Sequence, residues 1–359
     1  MSDHIFSNVK IGNMLLKNRI VMAPMTRSRC IDNVPNELVA KYYSQRAEAG
    51  LIITEGISPS DNGLGYARIP GLYTSEHVHA WKKVTDEVHH AGSRIFAQFM
   101  HCGRVAHPDN LPSGMEILAP SPIALTEGQM WTDKNGLQDY PVPEEMSENE
   151  IQCTIKEFVH AAELAIQAGF DGVEVHGANG YLIDQFLNPA SNERADQWGG
   201  SIENRIRFAL EVTKGIAQKI GADKVGIRLS PYGVFNGMQV FPHLEDLYER
   251  LATDLQKLGI LYIHLVDHQS MGAPEVKPSV KKRIRDNFKG TLILSGGYDA
   301  KRAEHDLSEK KGDLFAFGRP FISNPHLVSK LKHKKPLLKA DDTTFYTPGE
   351  KGYTDYPLD

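Results

Sequence analysis

The chain has no apolar run near the ~20 residues that a membrane span needs; its longest hydrophobic stretches are strand-sized. It is also poor in cysteine. Cys30, Cys102 and Cys153 are odd in number, widely scattered and form no C-x-x-C pair, which argues against a disulfide scaffold, a zinc knuckle or an iron–sulfur cluster. An excess of one charge is missing too. Lys and Arg number 40 against 45 Asp and Glu, a net of −5 with both signs interspersed, so the electrostatics favour neither nucleic acid nor an anionic membrane. Low-complexity segments and short repeats are absent, and the N-terminal MSDHIFSNVK shows no basic-then-apolar leader pattern. A cytoplasmic globular protein is expected, since 41% hydrophobic and 24% charged residues suffice for a packed core.

What recurs is an apolar run, a Gly- or Pro-bearing break, and a longer stretch with helical periodicity. The runs are 19–25, 51–56, 94–101, 172–177, 225–230, 261–267, 291–297 and 314–319. Their apolar residues sit at consecutive positions, as in parallel strands covered on both faces. Between them, Leu244, Leu247, Leu251, Leu255 and Leu258 form one helix face that Gly259 ends. Ser147 with Glu150 is a capping box ahead of another stripe ending at Gly169. Helices are also expected over 36–49, 75–91, 201–219, 279–288, 299–310 and 323–332. Eight such units imply an α/β fold, a closed (β/α)8 TIM barrel, with an open doubly wound sheet as the alternative. Length alone suggests about two domains, but barrels of this size often run as one. A single domain over 1–359 is therefore expected, with 102–146 as a capping insertion after the third strand and 333–359 as a polar tail near the active site.

In such a barrel the C-terminal strand ends face the active site. There lie Pro24-Met25-Thr26, Glu55-Gly56, Gln98 and His101, His176, Arg228, Gly296-Gly297 and Gly318-Arg319. Loops after the seventh and eighth strands commonly hold phosphate through backbone N–H groups, and Arg319 would add a charged partner; the same glycines also suit plain tight turns. His176-x-x-Asn179-x-Tyr181 places an imidazole, an amide and a phenol within six residues. The first two can polarise one carbonyl oxygen, and the third can deliver a proton. A satisfied buried His beside an Asn-Gly turn is the structural alternative. Arg228 interrupts an apolar strand, so it faces either an acidic barrel residue such as Glu174 or an anionic ligand. No carboxylate–His cluster with ligand spacing supports a metal.

LKNRIVMAPMTR (16–27), LIITEG (51–56), GYARIPGLYT (65–74), AQFMHCGR (97–104), the 30 residues from His176 to Arg205, IRLSPYG (227–233) and FGRPFISNP (317–325) resemble the old yellow enzymes. These are FMN-containing ene-reductases of the NADH:flavin oxidoreductase family. The resemblance runs over nearly the whole chain. It implies that Pro24, Thr26, Gly56, Gln98, Arg228, Gly297, Gly318 and Arg319 hold a non-covalent FMN, with Thr26 near C4=O and N5, Gln98 on the pyrimidine edge and Arg228 near N1 and C2=O. It further implies that His176 and Asn179 bind the substrate oxygen, that Tyr181 donates the proton, and that Tyr66 and Tyr346 line the pocket. Thr26 and Phe345-Tyr346 resemble the classical branch; the thermophilic-like branch usually has Cys at the first of these positions. Asn179 matches yeast-type members. Met100 departs from the pattern, because many members carry Trp there; a flexible thioether reshapes the substrate pocket.

The activity so implied is hydride transfer from NADPH or NADH through FMN to the β-carbon of an α,β-unsaturated aldehyde, ketone or imide. Small-molecule activated alkenes are the expected partners, and the chain is expected as a monomer or homodimer. Nitro compounds or nitrate esters are the alternative oxidants at the same site. A flavin-free barrel lyase or isomerase of a sugar phosphate is the alternative from another class.

Overall fold

The computed structural model describes residues 4–358. Eight strands close a parallel barrel: β1 Ile20–Met22, β2 Leu51–Ile57, β3 Arg94–Phe99, β4 Gly172–Gly177, β5 Val225–Leu229, β6 Tyr262–Val266, β7 Thr291–Ser295 and β8 Leu314–Phe317. Each strand pairs with the next in sequence and β8 returns to β1, the (β/α)8 TIM barrel expected from the eight runs. Nearly every strand residue is buried, since helices cover one face and the barrel interior fills the other. Register places His176, Arg228 and His264 side by side across β4, β5 and β6. The β2–β3 ladder slips between Ile53 and Gly56, and such a bulge redirects the residues beyond it.

Local signals set the helix starts. Asn36 accepts from the Leu38 and Val39 N–H groups ahead of Glu37–Ser44. Ser147 and Glu150 form the reciprocal capping box of Glu148–Gln167, and Asp299 caps Ala300–Ser308 through Arg302 N–H. Gly259, at φ 69°, ends Leu244–Leu258 in the left-handed conformation that costs glycine least. The stretch 201–219 is two helices, Ile202–Arg205 and Arg207–Ile220. After β8 the helix begins at once, as Arg319–Ser323, and a second runs over Leu327–Lys332. The helix expected over 323–332 is thus present from Leu327, and a short unexpected one precedes it, with Pro320 in its first turn, where the missing N–H costs nothing. Among the described residues no helix is long and apolar enough to cross a membrane.

Two segments shape the ends of the barrel. An N-terminal hairpin, Val9–Ile11 with Met14–Leu16, packs Ile11 and Leu16 against Phe96, Leu261 and Tyr262. Within 102–146, a second hairpin, Met130–Thr132 with Gly136–Gln138, and a short parallel pair, Leu118–Ala119 with Glu144–Glu145, supply the regular structure. Two small apolar clusters seat this segment, one around Leu64, Met100 and Cys102 and one around Val105, Leu125 and Met130. Tyr66 and Tyr181 pack against both.

The polar tail is held by buried guanidinium groups. Arg27 Nη2 donates to Gly352 O at 2.8 Å, Arg29 donates to Thr344 O and Phe345 O at 2.8 and 2.7 Å, and Arg46 reaches Tyr353 O at 3.2 Å. Tyr353 stacks on Tyr42 with centroids 4.1 Å apart. Planar five-donor guanidinium groups suit a segment that offers mainly backbone carbonyls. They fix Phe345 and Tyr346 at the mouth of the barrel.

Candidate active site

Two adjoining cavities of about 810 and 640 Å³ open at the C-terminal end of the barrel, within the range of small-molecule sites (~300–1,000 Å³). Every residue assigned from sequence to cofactor, substrate or proton lines one or both. Pro24, Thr26, Tyr66, Asn179, Tyr181, Arg228 and Tyr346 border both; Gly56, Gln98, Met100 and His176 lie in the larger; Gly297, Gly318 and Arg319 lie in the smaller. Glu55 and His101 line neither, a correction of the strand-end reading. Strand side chains alternate in direction, so a residue beside a pocket-facing one points away. Glu55 instead accepts from Arg27 N–H at 3.1 Å. His101 packs on Phe158, and burial holds its pKa down at about 3.

Deep in the barrel, Glu174 accepts hydrogen bonds from Gln98 Nε2 at 2.8 Å, Tyr262 OH at 3.0 Å and His264 Nδ1 at 2.9 Å. Against burial, the His264 ring, the Arg228 charge and the Gln98 bond hold its pKa below the ordinary carboxylate value. The bonds to Glu174 also fix the Gln98 amide with its oxygen directed elsewhere. Arg228 feels Glu174 electrostatically, but among the described residues it has neither an ion pair nor a hydrogen bond, and its Nε is fully buried and unpartnered. Of the two partners weighed from sequence, Glu174 bears on Arg228 and satisfies it incompletely. A buried cation without a partner costs several kcal/mol, so this guanidinium is arranged for an anionic or strongly accepting group that enters the cavity.

The smaller cavity has anion-binding character. Gly296 and Gly297 take φ of 121° and 63°, and a Cβ on Gly296 would strike Asp267 O at 2.0 Å; only glycine fits this turn. Arg319 stands exposed beside it with no ion pair among the described residues. In the larger cavity, Met100 folds over Gly56, where a Cβ would meet its sulfur at 2.6 Å.

On the β4 side, His176 is buried, makes no hydrogen bond among the described residues, and has an unpartnered Nδ1. Burial and Arg228 push its pKa well below the ordinary histidine value, so the ring is neutral. Tyr181 tilts against it with ring centroids 5.2 Å apart, and its hydroxyl shares a 3.0 Å hydrogen bond with Tyr66. Burial and the Cys102 thiol raise the Tyr181 pKa, which keeps the phenol protonated. Asn179 adopts φ 62°, tolerated by Asn in a single-residue turn. Its N–H donates to Ser230 Oγ at 2.9 Å, and its carbonyl accepts from Asn236 Nδ2 at 2.8 Å. Asp184 completes the turn by accepting from Gly180 N–H at 2.9 Å. These turn residues, and His268 against the Asn179 side chain, were not among the sequence-predicted residues, although His268 lies two positions beyond β6 and the strand-end rule reaches it.

Burial raises the Asp184 carboxyl to about 7. The native state therefore holds a proton that the unfolded chain releases near ~3.9, and this contribution to stability is present below the unfolded value and lost as the pH climbs towards 7. Relative to Asp184→Asn, wild-type unfolding free energy should fall by about 2 kcal/mol between pH 5 and pH 7. Denaturant titrations of both proteins at the two pH values measure it; parallel curves would show that Asp184 titrates normally.

An uncompensated barrel arginine, a glycine turn beside an exposed arginine and a buried unpartnered histidine meet at one end of the barrel, and the residues present fit FMN. The chain matches the model of the NADH:flavin oxidoreductase / NADH oxidase family over residues 4–337 and belongs to that family. It is 41% identical to a chanoclavine-I aldehyde reductase of Penicillium roqueforti over 98% of this chain and 95% of the relative. It is 40% identical to a probable flavin mononucleotide-dependent alkene reductase of Leishmania infantum over 99% and 98%. Among solved structures, morphinone reductase superposes with a TM-score of 0.95 at 40% identity, covering 98% of this chain and 96% of that one. The chain is an FMN flavoprotein of the old yellow enzyme family and an NAD(P)H-dependent flavin oxidoreductase.

Proposed function

We propose that this enzyme reduces the C=C bond of α,β-unsaturated aldehydes, ketones or imides, with NADPH or NADH as reductant. The observation that carries the reading is the convergence of the unpartnered His176, the Asn179 amide and the protonated Tyr181 phenol on one cavity. Bound FMN would supply the hydride chemistry, accepting hydride from the nicotinamide and passing it to the activated alkene. Pro24, Thr26, Gly56, Gln98 and Arg228 would hold its ring, and Gly297, Gly318 and Arg319 its phosphate end.

His176 and Asn179 each offer an N–H to the carbonyl oxygen and stabilise the negative charge that develops there. A neutral His176 suits this task, because beside Arg228 a second cation would be costly. Tyr181 gives its proton to the α-carbon, and Tyr66 holds the phenol in place through the shared hydrogen bond. Met100, Tyr66 and Tyr346 shape the space around the alkene.

An anaerobic visible spectrum of the holoenzyme tests the reading. NADPH should bleach the oxidised-flavin bands, and 2-cyclohexenone should restore them. Bleaching that a nitrate ester reverses and an enone does not would overturn the proposed substrate class.

A further inference from the structure

The cavity-facing amide of Asn179 can present either an N–H or an oxygen, and the two orientations have opposite consequences. With Nδ2 towards a bound carbonyl it donates and stabilises; with Oδ1 there, two oxygens repel. The backbone is already fixed, by Ser230 on the N–H and Asn236 on the carbonyl. Only the side-chain orientation is left to set. Across the mouth, Asn179 Oδ1 lies 2.6 Å from His268 Nε2. A carboxamide oxygen only accepts, so Nε2 carries the proton. The His268 ring is itself braced edge-on by Phe235, with centroids 4.7 Å apart, and burial together with Arg228 holds its pKa down to about 4, so it is neutral near pH 7.

We propose that His268 is a positioning residue that reaches from the loop after β6 to lock the Asn179 carboxamide with its N–H group towards the substrate oxygen. Its ring does not line the larger cavity, where His176 and Met100 stand. The inference rests on the reading that Asn179 binds that oxygen, and it adds a residue 89 positions away in sequence that decides which end of the amide is offered. His268 also borders the cavity containing Arg319, so a role in holding the cofactor is the competing explanation, and the test separates the two.

The probe is 4-hydroxybenzaldehyde, whose phenolate oxygen can take the place of the substrate oxygen. It is titrated into the oxidised FMN-loaded enzyme while the flavin spectrum is followed, so no turnover is required. His268→Phe keeps an aromatic ring against Phe235 and removes the donor; it should raise the probe's Kd about tenfold with FMN affinity unchanged. His268→Gln, which restores an N–H at a similar reach, should recover the affinity to within about threefold of wild type. The decisive comparison is made in Asn179→Gly, chosen because glycine accepts φ 62° without strain. There His268→Phe should have no further effect, because coupled residues are not additive. A tenfold loss that persists in Asn179→Gly, or one that tracks loss of FMN, overturns the proposal. If Asn179→Gly alone leaves probe binding unchanged, the assignment of Asn179 to oxygen binding falls, and the role of His268 falls with it.

Discussion

Tyr181→Phe should slow the reoxidation of the reduced enzyme by an enone by about 10²–10⁴ and leave its reduction by NADPH nearly unchanged. The asymmetry follows from the proton inventory. Reduction by a nicotinamide requires no proton from the protein at carbon, whereas saturating a C=C bond requires one at the α-carbon. Tyr181 is half-buried, raised in pKa and held by Tyr66 at 3.0 Å, so it stays protonated and pointed. Phe preserves the packing against His176 and Cys102 and removes only the hydroxyl. Stopped-flow measurement of the two half-reactions gives the answer directly. An equal fall in both would assign Tyr181 to general pocket structure and remove it from proton transfer.

The barrel was legible in sequence because a parallel strand buried on both faces leaves consecutive apolar residues, as LIITEG and LYIHLVD do. Capping boxes such as Ser147–Glu150 satisfy backbone groups locally and so can be read locally. The N-terminal hairpin was not legible: strands of three residues are too short to show alternation, and only their antiparallel pairing with each other makes them strands. After β8 the helix expected over 323–332 is present from Leu327, and the short helix before it went unread because Pro320 alone marks its first turn. At the site, His176, Asn179 and Tyr181 stood out as polar groups clustered at one strand end. His101 and Glu55 satisfied the same rule and failed it on direction, since their neighbours Met100 and Gly56 take the pocket-facing positions. His268 sits within reach of the strand-end rule, but its significance lies in a partner 89 residues away, a pairing across the barrel mouth that a local pattern does not reveal.

His176→Ala should lower kcat/KM for an enone by about 10²–10³, and in contrast to Tyr181→Phe it should impair both half-reactions. A nicotinamide carboxamide offers the same kind of carbonyl oxygen as an enone, so the donor pair that binds one can bind the other. The loss should fall mainly on kcat for the enone, because the oxygen gains charge as hydride arrives and the interaction strengthens in the transition state. The pH dependence is a second signature. An ordinary histidine would gain a proton near ~6.5, but burial and Arg228 hold His176 well below that value. It should therefore stay neutral across pH 6–9, and the wild-type rate should show no limb belonging to it. His176→Gln, which keeps a donor of similar reach, should retain more activity than His176→Ala. Equal losses in the two variants would mean that the ring serves by volume and contact with Tyr181, and that Asn179 alone carries the developing charge.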